Sequence, residues 1–268
     1  MVDTETLVRR ATEAFNSGKP DEAQRLCEQG LARAPGDPVL HHLLAAVLFS
    51  RGVIAPAHAH IDVSLAKRPD NAAARLLAAR IARSEGNFEV ALAHIDSAIA
   101  TSPQREVFVE KARTLDQAGL RAQARESWRA ILKVIPGHPE AAARLGRLAW
   151  EDGDPATAAS LLSQVAVPAA PASVWFDLGV ARQDLRDHAG AANAYRKALD
   201  LKPDHAEAAL NLGIALQEGG DVDAAMRAFA QAYRLRPQLF GSIAMALTSA
   251  SHGRLWLDED ELRRTLAS

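Results

Sequence analysis

A 34-residue unit occurs twice in succession between residues 172 and 239, and no other feature limits the fold as tightly. The copy at 172–205 places Trp175, Leu178, Gly179, Ala191, Tyr195, Ala198 and Pro203 at fixed offsets. The copy at 206–239 places Ala209, Leu212, Gly213, Ala225, Phe229, Ala232 and Pro237 at the same offsets. Self-similarity at this period marks an array of small supersecondary units, each burying its apolar face against its neighbours.

The same register extends toward the N-terminus, giving units at 4–37, 38–71, 72–104, 105–138 and 139–171 before the two described. Position 20 is alanine in all seven: Ala23, Ala57, Ala91, Ala124, Ala158, Ala191 and Ala225. Position 15 is glycine in six, with Arg186 the exception, and a proline closes six units. Position 8 is always Ala or Gly, as a close helix crossing requires. Position 24 (Cys27, Ile61, Ile95, Trp128, Leu162, Tyr195, Phe229) is larger and fills the space between hairpins. Glycine at position 15 suits a left-handed residue that ends a helix, and the closing proline cannot continue one. Asp37 before Pro38 reads as an N-cap followed by the first helical position.

The spacing W-x2-L-G, then Ala, aromatic, Ala and Pro, resembles the tetratricopeptide repeat over residues 4–239. The resemblance implies an all-α, right-handed solenoid of seven helix hairpins. Residues 240–251 read as a capping helix, and 252–268 as a short tail outside the repeat. In the tail Asp258-x-x-Glu261 is a capping box opening a last short helix. The tail's Leu255-Trp256-Leu257 either packs on the last helices or, with the acids 258–261, docks in a groove. The run Val167-Pro168-Ala169-Ala170-Pro171 marks either a hinge or a shortened helix.

A formal net charge of −2 and a pI near 6.5 argue against a nucleic-acid footprint. The lone cysteine, Cys27, sits at a packing position and reads as an inert buried thiol. The start of the chain is unlike a secretory signal and no segment has the length of a membrane span, so a cytoplasmic, membrane-free protein is expected. Motifs for hydrolases, metalloproteases and nucleotide binding are missing, so no enzymatic activity and no cofactor are expected. His41, His42, His58 and His60 cluster in sequence, but His58 and His60 point about 200° apart on a helix, and no metal site is expected.

A binding surface is what remains. In the tetratricopeptide family, positions 2, 5, 9 and 12 of each first helix line a concave peptide groove. Here the resemblance assigns that stripe to Val8, Phe15, His42, Phe49, Arg80, Arg83, Arg113, Arg147, Trp150, Phe176, Gln183, Leu210 and Gln217. Phe15, Phe49 and Trp150 read as exposed aromatic anchors. Arg80, Arg113 and Arg147 recur at position 9, either as a ladder for carboxylates or as a face neutralised by Glu106, Asp116, Glu140 and Glu151. The Lys/Asn clamp of chaperone-tail binders is not matched by Val8 and Thr12. The position-6 asparagine ladder of sugar-transferase solenoids is met only by Asn211, with Arg144 and Asp177 in the equivalent places. The resemblance thus implies a non-catalytic scaffold or adaptor for a protein or peptide, for which an acidic segment is one expected form. Homo-oligomeric self-assembly and an accessory subunit positioning a separate enzyme are the competing readings.

Overall fold

The computed structural model describes residues 3–249 and 258–267, and these form helices with no strand. Fourteen repeat helices follow the expected register. The first helices are α1 (Thr4–Asn16), α3 (Pro38–Ser50), α5 (Ala72–Ser84), α7 (Arg105–Gln117), α9 (Pro139–Glu151), α11 (Ala172–Asp184) and α13 (Ala206–Glu218). Their partners are α2 (Pro20–Leu31), α4 (Ile54–Lys67), α6 (Phe88–Thr101), α8 (Arg121–Val134), α10 (Pro155–Val165), α12 (His188–Leu201) and α14 (Val222–Leu235). A 3-10 turn (Pro237–Leu239) leads into α15 (Phe240–Ser249), and α16 (Glu259–Ala267) ends the described chain. The chain divides into two compact units, Met1–Ile131 and Leu132–Ser268.

Short polar side chains start many of these helices. Asp37 Oδ1 accepts from the backbone N–H of Val39 (2.8 Å) and Leu40 (3.0 Å), with Pro38 as the first helical residue. Asp3, Asn71, Asp154, Asp187 and Asp221 cap α1, α5, α10, α12 and α14 in the same way. These contacts satisfy backbone donors that a helix start leaves free.

Left-handed residues stop the first helices. Gly18, Gly52, Gly86, Gly119, Gly153 and Gly220 have φ between +71° and +88°. Arg186 takes the same place at φ +59° without being glycine. Its turn still closes normally: Arg186 N–H donates to Gln183 O and Asp187 N–H to Arg182 O, both at 2.9 Å. The repeat architecture imposes the conformation whatever residue occupies it.

Positions 8, 20 and 24 pack as the register requires. All seven position-20 alanines and all seven position-24 side chains have zero exposure, Trp128, Tyr195 and Phe229 among them. The need for a small residue at position 8 comes chiefly from the position-24 side chain. A Cβ on Gly179 would stand 2.5 Å from the Tyr195 ring, one on Gly213 2.5 Å from that of Phe229, and one on Gly146 2.7 Å from Leu162 Cγ.

The 166–171 segment follows a shortened α10, which has 11 residues where α12 has 14, and Ala170 is buried there. At the C-terminal end α15 buries Ile243 and Leu247, and α16 buries Leu262 and Leu266, all in one cluster with Phe229 and Phe240. Asp258 caps α16, and the Arg263 guanidinium lies 3.7 Å from the centre of the Phe240 ring. The tail's helix is therefore part of the last core, beyond the single capping helix expected. The Leu255-Trp256-Leu257 stretch lies outside the described residues.

Candidate functional site

In the first compact unit the stripe runs along α1, α3, α5 and α7. Val8, Phe15 and Phe49 lie there half-buried, packed against the unit's core. The aromatics are therefore not the exposed anchors expected, because each ring serves the core with one side. His42 opens onto a hollow of about 250 Å3 between α3, α5 and α7, with Ala46, Ala73, Leu76, Arg80, Glu106 and others in its wall. Burial alone pushes the His42 imidazole below its ordinary pKa, which keeps it uncharged at neutral pH.

The arginines of this unit converge on one acid. Glu110, on α7, has a fully buried side chain. It accepts from Arg83 Nε at 2.6 Å and Arg80 Nε at 3.3 Å, and Arg113 Nη1 lies 3.7 Å away. Arg80 also binds Glu106, and Arg83 donates to Gln117 at 2.9 Å. A buried charge is tolerated only when paired and hydrogen-bonded, and Glu110 is both.

The second unit repeats this device. Arg147 donates to both oxygens of Asp177 at 3.0 and 3.3 Å and pairs with Glu151 at 3.4 Å. In each unit an arginine at position 9 reaches the acid at position 6 of the next repeat, thirty residues on. Burial raises the Asp177 pKa, and Arg147 opposes that rise. Neither Glu110 nor Asp177 was among the acids expected to neutralise the stripe. Their signal in the sequence is position 6 of the repeat, where carboxylates stand in place of asparagine.

The rest of the stripe in this unit is engaged internally. Trp150 is half-buried, and its indole N–H donates to Asp184 at 2.7 Å. Phe176 stacks on His205 with ring centres 4.7 Å apart. Gln183 accepts the Tyr195 hydroxyl at 2.9 Å. Leu210 and Gln217 are 9% and 1% exposed, so these two expected groove residues present no surface. Helix α15 packs on α13 and joins Leu210 in the last core cluster.

One further feature lay outside the sequence reading. A shallow hollow of about 700 Å3 has Trp175, Asn193, Arg196, Lys197 and Gln231 in its wall. Its polar groups pair locally, Arg196 with Asn193, Lys197 with Asp200 and Gln231 with Pro203 O. The histidine cluster yields one histidine pair: His60 Nδ1 donates to His41 Nδ1 at 2.8 Å, while His41 Nε2–H donates to Pro35 O at 2.8 Å. The carbonyl can only accept, which fixes these roles for neutral rings. His58 faces Glu85 at 3.1 Å, and Cys27 is buried with its thiol pushed up to about 12 by desolvation. Among the described residues no three His, Cys, Asp or Glu side chains gather as metal ligands, and no helix is long and apolar enough to cross a membrane.

The fold has solved counterparts. A tetratricopeptide repeat protein from Parabacteroides merdae shares 15% identity at TM-score 0.59, over 80% of this chain and 84% of its own. PilW, a type IV pilus biogenesis factor, shares 16% at TM-score 0.67, over 80% and 98%. A chain of the APC/C assembly Cut9–Hcn1 shares 15% at TM-score 0.66; this chain aligns over 98% of its length to 49% of that one. No curated protein matches the sequence. The tetratricopeptide repeat pattern matches residues 14–81, 109–174 and 176–239. Seven hairpins in register, small residues opposite every position-24 side chain and these matches place the chain in the tetratricopeptide repeat family of all-α solenoids, which serve in general as protein–protein interaction scaffolds.

Proposed function

We propose that this protein is a non-catalytic scaffold that binds a peptide segment of a partner protein along the first-helix stripe of residues 1–131. The hollow between α3, α5 and α7 carries this reading, because two expected groove residues, His42 and Arg80, meet in its wall. Within residues 132–268 the stripe is engaged by its own hydrogen bonds and ring stacking or is buried. Arg80 and Arg83 are already matched by Glu106 and Glu110, so the reading does not depend on an acidic partner. A partner carboxylate would have to displace Glu106, whose side chain is 60% exposed.

The test is selection of binders from a random dodecapeptide library on the full chain, followed by the double variant His42→Ala, Arg80→Ala. Selected peptides should bind the variant at least tenfold more weakly while its helical circular dichroism is retained. A library yielding no binders, or binders indifferent to the variant, overturns the reading. Self-assembly is the competing reading. Stacking on α14 would have to displace α16, whose Leu262 and Leu266 already cover that helix. Light scattering that gives a monomer mass at micromolar concentration removes it.

A further inference from the structure

The α3–α5–α7 hollow is a product of two alanines. The Arg80–Glu106 contact shows that position 9 of one first helix abuts position 2 of the next. By repeat register, the equivalent pairs within the two compact units are Thr12 and Val39, Ala46 and Ala73, Arg80 and Glu106, Arg147 and Ser173, and Val180 and Glu207. Only the Ala46–Ala73 place has a methyl group on both sides. Every other pair carries at least one larger side chain. The notch therefore lies where both side chains that would fill it are reduced to Cβ.

The floor is apolar: Ala46, Ala73, Leu76, Leu77 and Val107. The only charged residues in the wall are Arg80 and Glu106, and they are bound to each other. His42 is held uncharged by its burial. A neutral, apolar concavity discriminates against a charged occupant, which would lose its hydration without gaining an opposite charge. At about 250 Å3 it is below the roughly 300–1,000 Å3 of whole small-molecule sites and suits a single side chain. The edge is polar, with Gln104 exposed and the Glu106 and Arg80 side chains 60% and 28% exposed. These groups complement the N–H and C=O of a peptide backbone on either side of a buried residue.

We infer that the Ala46–Ala73 notch is a specificity pocket for one large uncharged apolar side chain (Leu, Ile, Met, Phe, Tyr or Trp) of the partner segment. This rests on the peptide-scaffold reading and adds the class of residue that the site selects. Such a buried anchor surrounded by polar contacts is where binding energy concentrates in an interface.

The test uses the full chain and the strongest dodecapeptide from the library selection, measured by fluorescence anisotropy. An alanine scan of the peptide should find one large apolar residue whose replacement weakens binding at least tenfold. Ala46→Met and, separately, Ala73→Met should each reduce affinity of the unaltered peptide at least tenfold with unchanged helical signal. Ala73 is exposed, so Ala73→Met leaves the core untouched, whereas Ala46 is half-buried at the core's edge and its change is the more demanding of the two. Benzoylphenylalanine at the anchor position of the peptide should crosslink to α3 or α5. Should both methionine variants unfold, the crosslink decides alone: labelling elsewhere overturns the pocket. Peptides that bind without a large apolar residue, or bind both folded variants as tightly as the parent, also overturn it and leave the scaffold reading standing. Failure to select any peptide overturns both.

Discussion

Tyr195 donates its hydroxyl to Gln183 Oε1 at 2.9 Å, from position 24 of its repeat to position 12. Trp128 and Asp116 make the same link in an earlier repeat, at 2.8 Å. In the last repeat these places are Phe229 and Gln217, and the phenyl ring has no donor. Gln217 is 1% exposed, and neither atom of its amide has a protein partner. A buried polar group without a partner costs about 1–3 kcal/mol. Phe229→Tyr should therefore raise stability by about 1 kcal/mol, and Tyr195→Phe should lower it by a similar amount. Urea unfolding of both variants checks the opposite signs.

Gly179 and Gly213 leave room for the rings of Tyr195 and Phe229. Neither ring can retreat, since both are fully buried. Gly213→Ala should cost about 1–3 kcal/mol by overpacking, despite alanine's better helix propensity. A melting temperature equal to or above the parent's would show that the ring yields.

Arg186 carries a side chain at φ +59°, where six other repeats have glycine. Left-handed geometry costs an ordinary residue about 1–2 kcal/mol, and glycine's greater unfolded-state freedom returns about 0.5–1 kcal/mol of that. Arg186→Gly should raise stability by up to about 1 kcal/mol, whereas Gly153→Ala at φ +82° should lower it by about 1 kcal/mol. Paired thermal melts measure both.

Glu110 is the buried acid shared by Arg80 and Arg83. Removing one partner of a buried pair costs about 3–5 kcal/mol, and the partial exposure of both arginines places Glu110→Gln at or below the lower end, near 3 kcal/mol. Glu110→Leu combined with Arg83→Leu should be less destabilising than Glu110→Leu alone, because the double change leaves fewer unpaired charges. A double-mutant cycle by urea unfolding reads this directly.

His42, His60 and His94 all have pKa values pushed below the ordinary value, chiefly by burial. His41 adds to the shift at His60 while Glu28 opposes it; Arg75 adds to that at His94 while Asp62 opposes it. Near pH 5 the unfolded chain binds protons that the folded chain refuses, so stability rises with pH there. The melting temperature should fall as pH is lowered from about 7 to 5, starting near the ordinary histidine value of about 6.5. His42→Gln should flatten part of that slope.

The fold was legible because each repeat position has one steric task. Ala191 and Ala225 could be read as crossings, and Gly153 as a helix stop, from spacing alone. Even the exception at Arg186 obeys the backbone rule set by its neighbours. The site was less legible, because its chemistry depends on side chains one repeat apart. Glu110 reads as an ordinary polar helix residue until α5 brings two arginines to it. Phe15 and Phe49 fall on the expected stripe, but periodicity does not say which side of each ring the core claims. Leu210 and Gln217 belong to the stripe by register and are lost to it by burial. The 250 Å3 notch follows from the coincidence of Ala46 and Ala73, which neither repeat shows separately.

Side-chain bonds join each repeat to the next over a short reach of chain, among them Arg80 to Glu110, Arg83 to Gln117, Arg147 to Asp177 and Trp150 to Asp184. None of these spans more than 34 residues. A hairpin leaving the ribosome thus needs only the next hairpin to complete its bonds, and at synthesis rates of about 5–20 residues per second that wait is a few seconds. Translation can lay the protein down in finished pieces, with little apolar surface left waiting for a distant part of the chain.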